Sequence, residues 1–411
     1  MLNIVDSLNR QILDSKIDIE TLNELIQYEE NGNKFTINEK GEIICEKIVS
    51  PWYSKIFSKI KDLIIKILKI ISSLNEKEEN QINGIINISN NCYLNAGLQI
   101  LSRCYPLFIE LLNSNYEKDP LIKLFVESIT SILFKKDKFY NPKDFIEYFC
   151  ERNKDFIFGK QNCSQDFIRT LLRNMNETLE KKMRYEYYVP GNDQEKKAYI
   201  VYINENKIFP ESKAHSIFSG ILKINLNGKC SCCGAKINDY SFSSFVDQQI
   251  YLDSFKTKCK FFDVLKKNIG ENKAIIKCPK CKQKQDIKSF SKFVKIPEIL
   301  IFTLERYLVR NKVPIEPDEF IDMQYFVDES CDVDKNDCLY ELFAINIRLG
   351  QDISFGHEIC QVKQKNIWYT INDGDSYLKQ RDFNEYSYGL FYRRIHIKDK
   401  YFNYSNKLKI Q

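Results

Sequence analysis

Histidine is nearly absent: the 411 residues hold three, His215, His357 and His396, so chemistry that needs an imidazole base has three candidates. Charge of one sign is also scarce, with 61 Lys and Arg against 56 Asp and Glu. A net charge of +5 over this length is too small to argue for a nucleic-acid surface, and no nucleic-acid partner is expected. Apolar runs of about 18 residues without a charge are lacking, which excludes a conventional transmembrane helix. The opening MLNIVDSLNR sets Asp6 and Arg10 where a secretory signal needs an apolar core, so none is expected. With no such signal, the 14 Cys point to an intracellular, reducing compartment, cytoplasm or nucleus, where thiols serve as core residues, metal ligands or nucleophiles.

Hydrophobic residues make up 43% of the chain and charged residues 28%, an ordinary core-forming balance. Residues 1–50 are acidic, with ten Asp or Glu against five Lys or Arg, and carry short helical patterns. Residues 51–74 read as a basic amphipathic helix. Tyr53, Ile56, Phe57, Ile60, Ile64, Ile67, Leu68 and Ile71 share one face, Lys55, Lys59, Asp62, Lys66 and Lys69 the other, and Pro51 suits the helix start. Such a helix packs on its own chain, binds a partner or lies peripherally on an anionic membrane. NEKEENQ, 75–81, is a solvated linker. Beyond residue 82 helical patterns cover about 120–134 and 164–182, and strand patterns dominate after about 215. Helices first and antiparallel-type strands afterwards predict an α+β fold.

Three segments carry chemistry. In GIINISNNCYLNAGLQIL, residues 84–101, Cys92 opens a helical pattern, and a thiol at a helix N-terminus favours its nucleophilic thiolate. Asn87 upstream offers an amide donor for an oxyanion. Taken alone, a Cys in such apolar surroundings is more often a core residue. KCSCCGAK and KCPKCKQK supply two C-x-x-C pairs, Cys230 with Cys233 and Cys278 with Cys281, separated by 44 residues. Four sulfurs on two tight turns make a closed tetrahedral site, so one structural Zn²⁺ is expected in preference to free cysteines, with Cys232 as a substitute ligand. In the third segment His357 opens a strand, and Asn372 and Asp373 follow a neighbouring strand, where a partner for a general base belongs. His215 and His396 read as satisfied bystanders.

The segment around Cys92 closely resembles the Cys box of the ubiquitin-specific proteases, G-L-x-N-L-G-N-T-C-Y-M-N-S-x-L-Q, matching at Gly84, Asn87, Asn90, Cys92, Tyr93, Asn95, Leu98 and Gln99. Ser89 and Asn91 depart from Gly and Thr. KQNCSQDFIRTLL, residues 160–172, resembles the family's Q-Q-D-A-x-E-F-L segment, with Cys163 where Asp is usual and Asp166 in place of Glu. FVKIPEILIFTLERY, residues 293–307, resembles a family strand, with Glu305 and Tyr307 as departures, and YSYGLFYRR resembles its terminal strand. The segment from Leu342 to Tyr377 resembles the His box, with Glu358 replacing the usual Tyr and Arg348 a frequent His. A carboxylate at 358 either raises the pKa of the adjacent base or faces solvent.

The resemblance covers about residues 82–394 and implies a papain-like cysteine protease fold. A thumb spans about 82–185, zinc-ribbon fingers about 215–290 and a palm the remainder of a catalytic domain at 81–398, with a helical extension at 1–80 and a tail at 399–411. It implies cleavage after the C-terminal Gly of ubiquitin, with Cys92 as nucleophile, His357 as base, Asn372 orienting it, and Asn87 and Asp373 serving the oxyanion. Asp166 and Gln165 would contact the ubiquitin tail, although that run also reads as a plain amphipathic helix. Ubiquitin and ubiquitinated proteins are the implied partners, and no catalytic cofactor is implied. The competing reading is a catalytically weak or inactive ubiquitin-binding zinc-ribbon module.

Overall fold

The structure, a computed structural model, describes residues 82–134, 138–179, 191–206, 211–306, 312–331, 333, 337–350, 356–364, 367–378 and 385–395, with the short strands Phe35–Ile37, Ile43–Cys45 and Lys181–Met183. The amphipathic stretch 51–74, Tyr307, His396 and the tail 399–411 lie outside the described residues. Within the extension read as helical, Phe35–Ile37 and Ile43–Cys45 are strands, paired antiparallel.

Apolar residues at three- and four-residue steps build a helical layer from α1 (Cys92–Leu101), α2 (Tyr105–Asn113), α3 (Pro120–Phe134), α4 (Lys143–Arg152) and α5 (Ser164–Thr178). All ten residues of α1 are buried, so this helix is the centre of the layer. Gly97 lets α5 approach it, because a Cβ there would sit 2.5 Å from the Phe167 ring. Phe149 packs edge-on against Phe167 and Phe156, at ring separations of 5.1 and 4.9 Å.

A further helix, α6 (Asp193–Asn206), leads to a four-stranded antiparallel sheet made of β1 (Gly220–Lys229), β2 (Lys236–Phe245), β4 (Glu271–Lys277) and β5 (Lys284–Lys295), in the order β4-β5-β1-β2. Alternation is clear in β5, where Gln285, Ile287, Ser289 and Ser291 are buried and their neighbours Lys284, Asp286, Lys288 and Phe290 exposed. Helix α6 covers β2 through Tyr199, Tyr202 and Phe242.

The large sheet has eight strands. Its main path is β10-β9-β8-β7-β11-β6-β3, formed by Asp375–Leu378, Ile367–Asn372, His357–Gln364, Leu339–Leu349, Ser387–Arg394, Ile299–Glu305 and Asp247–Tyr251, with Phe320–Asp322 added beside β7. Only β3 runs parallel to its neighbour in this sheet. Strand β3 and helix α7 (Phe261–Asn268) fall inside the 215–290 span read as fingers, yet β3 joins the large sheet and α7 packs on it through Phe261, Val264 and Leu265. Every residue of β6 is buried, as for a strand covered on both faces. Helix α1 lies against β8, sharing one core with Cys360 and Val362. That contact sets Cys92 opposite His357. Helices and sheets combine as the α+β class requires.

Candidate active site

The loop before Cys92 is folded by its own asparagines. Asn91 Oδ1 accepts from the N–H groups of Ile88 and Ser89 at 2.8 and 2.9 Å, closing a tight turn. Asn90 sits at φ +51°, a left-handed conformation that Asn tolerates, and its amide donates to the Gly159 carbonyl at 2.9 Å. Because the Asn91 side chain turns back onto the loop, it does not cap α1. The first N–H groups of α1 have no intrahelical acceptor, and Cys92 is the first residue of that helix.

The other half of the site comes from the large sheet. His357 begins β8 and Asn372 ends β9, which places them side by side at one end of a hairpin. His357 Nε2 lies 2.6 Å from Asn372 Oδ1. An amide oxygen only accepts, so Nε2 carries the proton and Nδ1 is left for the thiol. His357 is pushed up to about 9, first by its hydrogen bond with the Cys92 side chain. Burial opposes the rise, and the bond to Asn372 and the charges of Cys92 and Asp373 add to it.

Asp373 follows at φ +50° in the turn to β10 and binds the two halves together. Its Oδ2 accepts from Asn87 Nδ2 at 2.8 Å and its Oδ1 from Asn95 Nδ2 at 2.7 Å. Its backbone carbonyl accepts from Ile85 N–H, also at 2.8 Å. Gly84 permits this approach, since a Cβ there would overlap the Gly374 carbonyl oxygen at 2.0 Å. Asn95 is fixed in turn by Asn91, whose Nδ2 donates to Asn95 Oδ1 at 2.8 Å. Asn87 Oδ1 accepts from Asn91 N–H at 3.2 Å, so its amide plane is set from both ends.

Cys92, His357, Asn372, Asn87 and Asp373 are thus brought together. The sequence reading gave no role to Asn91 or Asn95. The signal was present in their spacing, four apart across the start of a helix, where side chains share a face. Asp166 is elsewhere, half-exposed on α5, with a carboxylate oxygen 2.7 Å from Arg169 Nη2. Arg169 also reaches Asp247 at 3.3 Å. Gln165 is buried, its Oε1 accepting from Asn346 Nδ2 at 3.2 Å and from the Cys163 thiol at 3.3 Å.

Glu358 neither faces solvent nor raises the base: it is 2% exposed, paired with the equally buried Arg348, and is not among the groups that move His357. Successive residues of a strand point to opposite faces, which separates it from His357. His215 pairs with Glu211 away from the cleft, in a cluster with Ser219 and Lys295.

The four paired cysteines converge at the tip of the smaller sheet. Their Sγ atoms lie within 4.8 Å of one another, with Cys230 and Cys281 3.6 Å apart and Cys233 and Cys278 3.7 Å apart. A tetrahedron of bonds about 2.3 Å long spaces its sulfurs by roughly 3.8 Å, so the donor set fits a metal ion. Each knuckle is a tight turn: Gly234 N–H reaches the Cys230 carbonyl at 3.0 Å, and Lys282 N–H the Cys278 carbonyl at 2.9 Å. The backbone N–H of Cys281, foremost, and that of Lys280 lower the Cys278 thiol to about 6 against burial. Cys281, although the Gln283 N–H lowers it, is pushed up to about 12 by burial and the three other sulfurs, so the four thiols share their protons unequally.

Comparison with known proteins agrees with this geometry. Residues 83–392 match the family described as ubiquitin carboxyl-terminal hydrolase. A probable ubiquitin carboxyl-terminal hydrolase 4 of Schizosaccharomyces pombe is 24% identical over 375 residues, covering 81% of this chain and 62% of the relative. Ubiquitin carboxyl-terminal hydrolase 4 of Arabidopsis thaliana is 25% identical over 318 residues, covering 71% of this chain and 83% of that protein. Ubiquitin carboxyl-terminal hydrolase 23 of the same plant is 23% identical, and the match spans only 35% of its length. With the match running from Asn83 to Tyr392 and the Cys and His boxes meeting in one cleft, the chain belongs to the ubiquitin carboxyl-terminal hydrolase family, as a ubiquitin-specific protease.

Proposed function

We propose that the protein is a thiol-dependent deubiquitinase that hydrolyses the isopeptide or peptide bond after the C-terminal Gly of ubiquitin. The observation that carries this reading is the connected set Cys92–His357–Asn372, with Nε2 of the base fixed at 2.6 Å on Asn372. His357 Nδ1 takes the Cys92 proton, and the thiolate attacks the terminal carbonyl of ubiquitin. The oxyanion forms beside the free N–H groups at the start of α1 and the second amide hydrogen of Asn87, whose first is held by Asp373. The His357 imidazolium then protonates the leaving Lys amine, giving an acyl-enzyme. Water, deprotonated by the same imidazole, releases ubiquitin and restores the thiol. The complete set of reacting groups supports an enzyme over an inactive ubiquitin-binding module.

The four-Cys cluster holds a structural zinc that takes no part in hydrolysis. The smaller sheet grips ubiquitin, and exposed Asp166 meets its tail, whereas buried Gln165 supports the helix from within. Residues 1–80 act on access to the cleft, with membrane contact through 51–74 as the alternative. Among the described residues no helix is long and apolar enough to cross a membrane. The deciding experiment is labelling by ubiquitin with a C-terminal electrophile: wild type is expected to form the adduct and Cys92→Ala none. A wild-type chain that is not labelled would sink the proposal.

A further inference from the structure

Three departures from the family pattern meet in one place. Ser164 stands where the quoted pattern has Ala, Glu358 where it has Tyr, and Arg348 where His is frequent. The Glu358 carboxylate pairs with Arg348 and accepts from Asn346 Nδ2 at 3.0 Å and from the Ser164 backbone N–H at 3.2 Å. The Ser164 hydroxyl touches the same carboxylate, and also the Tyr93 carbonyl oxygen at 2.9 Å. Tyr93 follows Cys92 in the chain just as Glu358 follows His357. Fully buried Ser164 therefore joins the residue after the nucleophile, whose carbonyl accepts its single hydroxyl proton, to the residue after the base, whose carboxylate accepts its backbone N–H, across the boundary between the helical layer and the sheet. A second tie grips the other side of His357: Gly356 N–H donates to Gln161 Oε1 at 3.0 Å, and Gln161 Nε2 donates to the Gly356 carbonyl.

We propose that Ser164, with the Arg348–Glu358 pair behind it, is a positioning device that holds Cys92 and His357 at reacting distance. It rests on the reading of those two as the reacting pair. The Glu358 carboxylate is held from three sides, by Arg348, the Asn346 amide and the Ser164 N–H, which fixes its position. Ser164 transmits that position to the backbone beside the nucleophile. Small shifts in such a pair are expensive, since roughly an ångström of misplacement loses about a hundredfold in rate.

The test uses the full chain and counts functional sites with a ubiquitin electrophile. Turnover per counted site is then measured on a fluorogenic ubiquitin conjugate. Ser164→Ala removes the arm of the bridge that reaches Tyr93 without stranding a charge, and Glu358→Gln keeps the shape while weakening the pair. Ser164→Ala is expected to lower kcat per counted site roughly tenfold while KM stays within about twofold. The double variant should be little worse than the poorer single one, because both cut the same bridge. Wild-type kcat per counted site in Ser164→Ala overturns the proposal. So does a loss confined to the number of countable sites, which marks a role in folding alone. A wild-type chain that forms no adduct overturns the deubiquitinase reading, and the positioning role with it.

Discussion

Around Asp373, side chains from the Cys loop, helix α1 and the β9–β10 turn satisfy one another at 2.7 to 2.8 Å. At the tip of the smaller sheet, four sulfurs 3.6 to 3.7 Å apart within each contacting pair have little but turn N–H groups and one another. The first cluster is complete as protein, because each donor has an acceptor supplied by the same chain. The second brings like groups together, a donor set that an ion would complete by neutralising them. The reaction centre should therefore tolerate metal loss but not the loss of a side chain, and the sheet tip the reverse.

The largest expected break is at the reacting atoms. Cys92→Ala and His357→Ala should each lower kcat/KM by at least about a thousandfold, with the thermal midpoint little changed. Rates on a ubiquitin conjugate, beside a melting curve, check this, and near-normal turnover by His357→Ala would refute the assignment of the base. Asp373→Ala comes next, at about a hundredfold, since Asn87 and Asn95 lose their shared acceptor while the metal site is untouched.

Asn372→Ala should cost roughly tenfold and also change the pH profile. His357 is raised to about 9, so the imidazolium that protonates the leaving amine persists at neutral pH and is lost as pH rises through that value. The wild-type kcat/KM should fall along an alkaline limb near 9, and the variant's limb should lie lower, because the Asn372 bond favours the charged form. An unmoved limb would deny Asn372 that role.

The smallest effect on chemistry is expected at the sheet tip. Elemental analysis should find one zinc per chain, and Cys278→Ser should lower both metal content and thermal stability. Alkylation of Cys92 by a small thiol reagent should keep its rate in that variant, whereas KM for a ubiquitin conjugate should rise several-fold. Slower alkylation would join the two clusters that the comparison holds apart.

The sequence revealed these two clusters for different reasons. The C-x-x-C pairs are local turns, legible from spacing because each knuckle folds within a few residues. Cys92 and His357, the proposed reacting pair, were legible only through their boxes, since nothing local at Cys92 indicates His357. Helix α3 was readable from its apolar stripe, and its observed span, Pro120–Phe134, is the one expected. Helix α6 was not, because DQEKKAYIVYINEN spreads apolar residues around the axis and leaves Ile200 and Val201 exposed. Strand β3 read as a strand, but its parallel partner β6 begins some fifty residues later, a pairing that alternation does not encode. Glu358 shows the same limit: residue type announced a charge beside the base, and only the strand's pleat and the buried Arg348 show that it points away.

The Asn87–Asp373 bond closes a loop of 286 residues. Contacts of such separation form late, because the entropy of closing the loop is lost before the contact returns anything. A chain leaving the ribosome has Cys92 exposed to solvent long before β9 and its turn are synthesised, and until then the thiol has neither its base nor its clamp. The proposed reaction centre is thus assembled only when a late part of the sheet, β8 to β10, has been made. A chain that ends before β9 lacks Asn372 and Asp373 and is expected to be inactive on a ubiquitin conjugate.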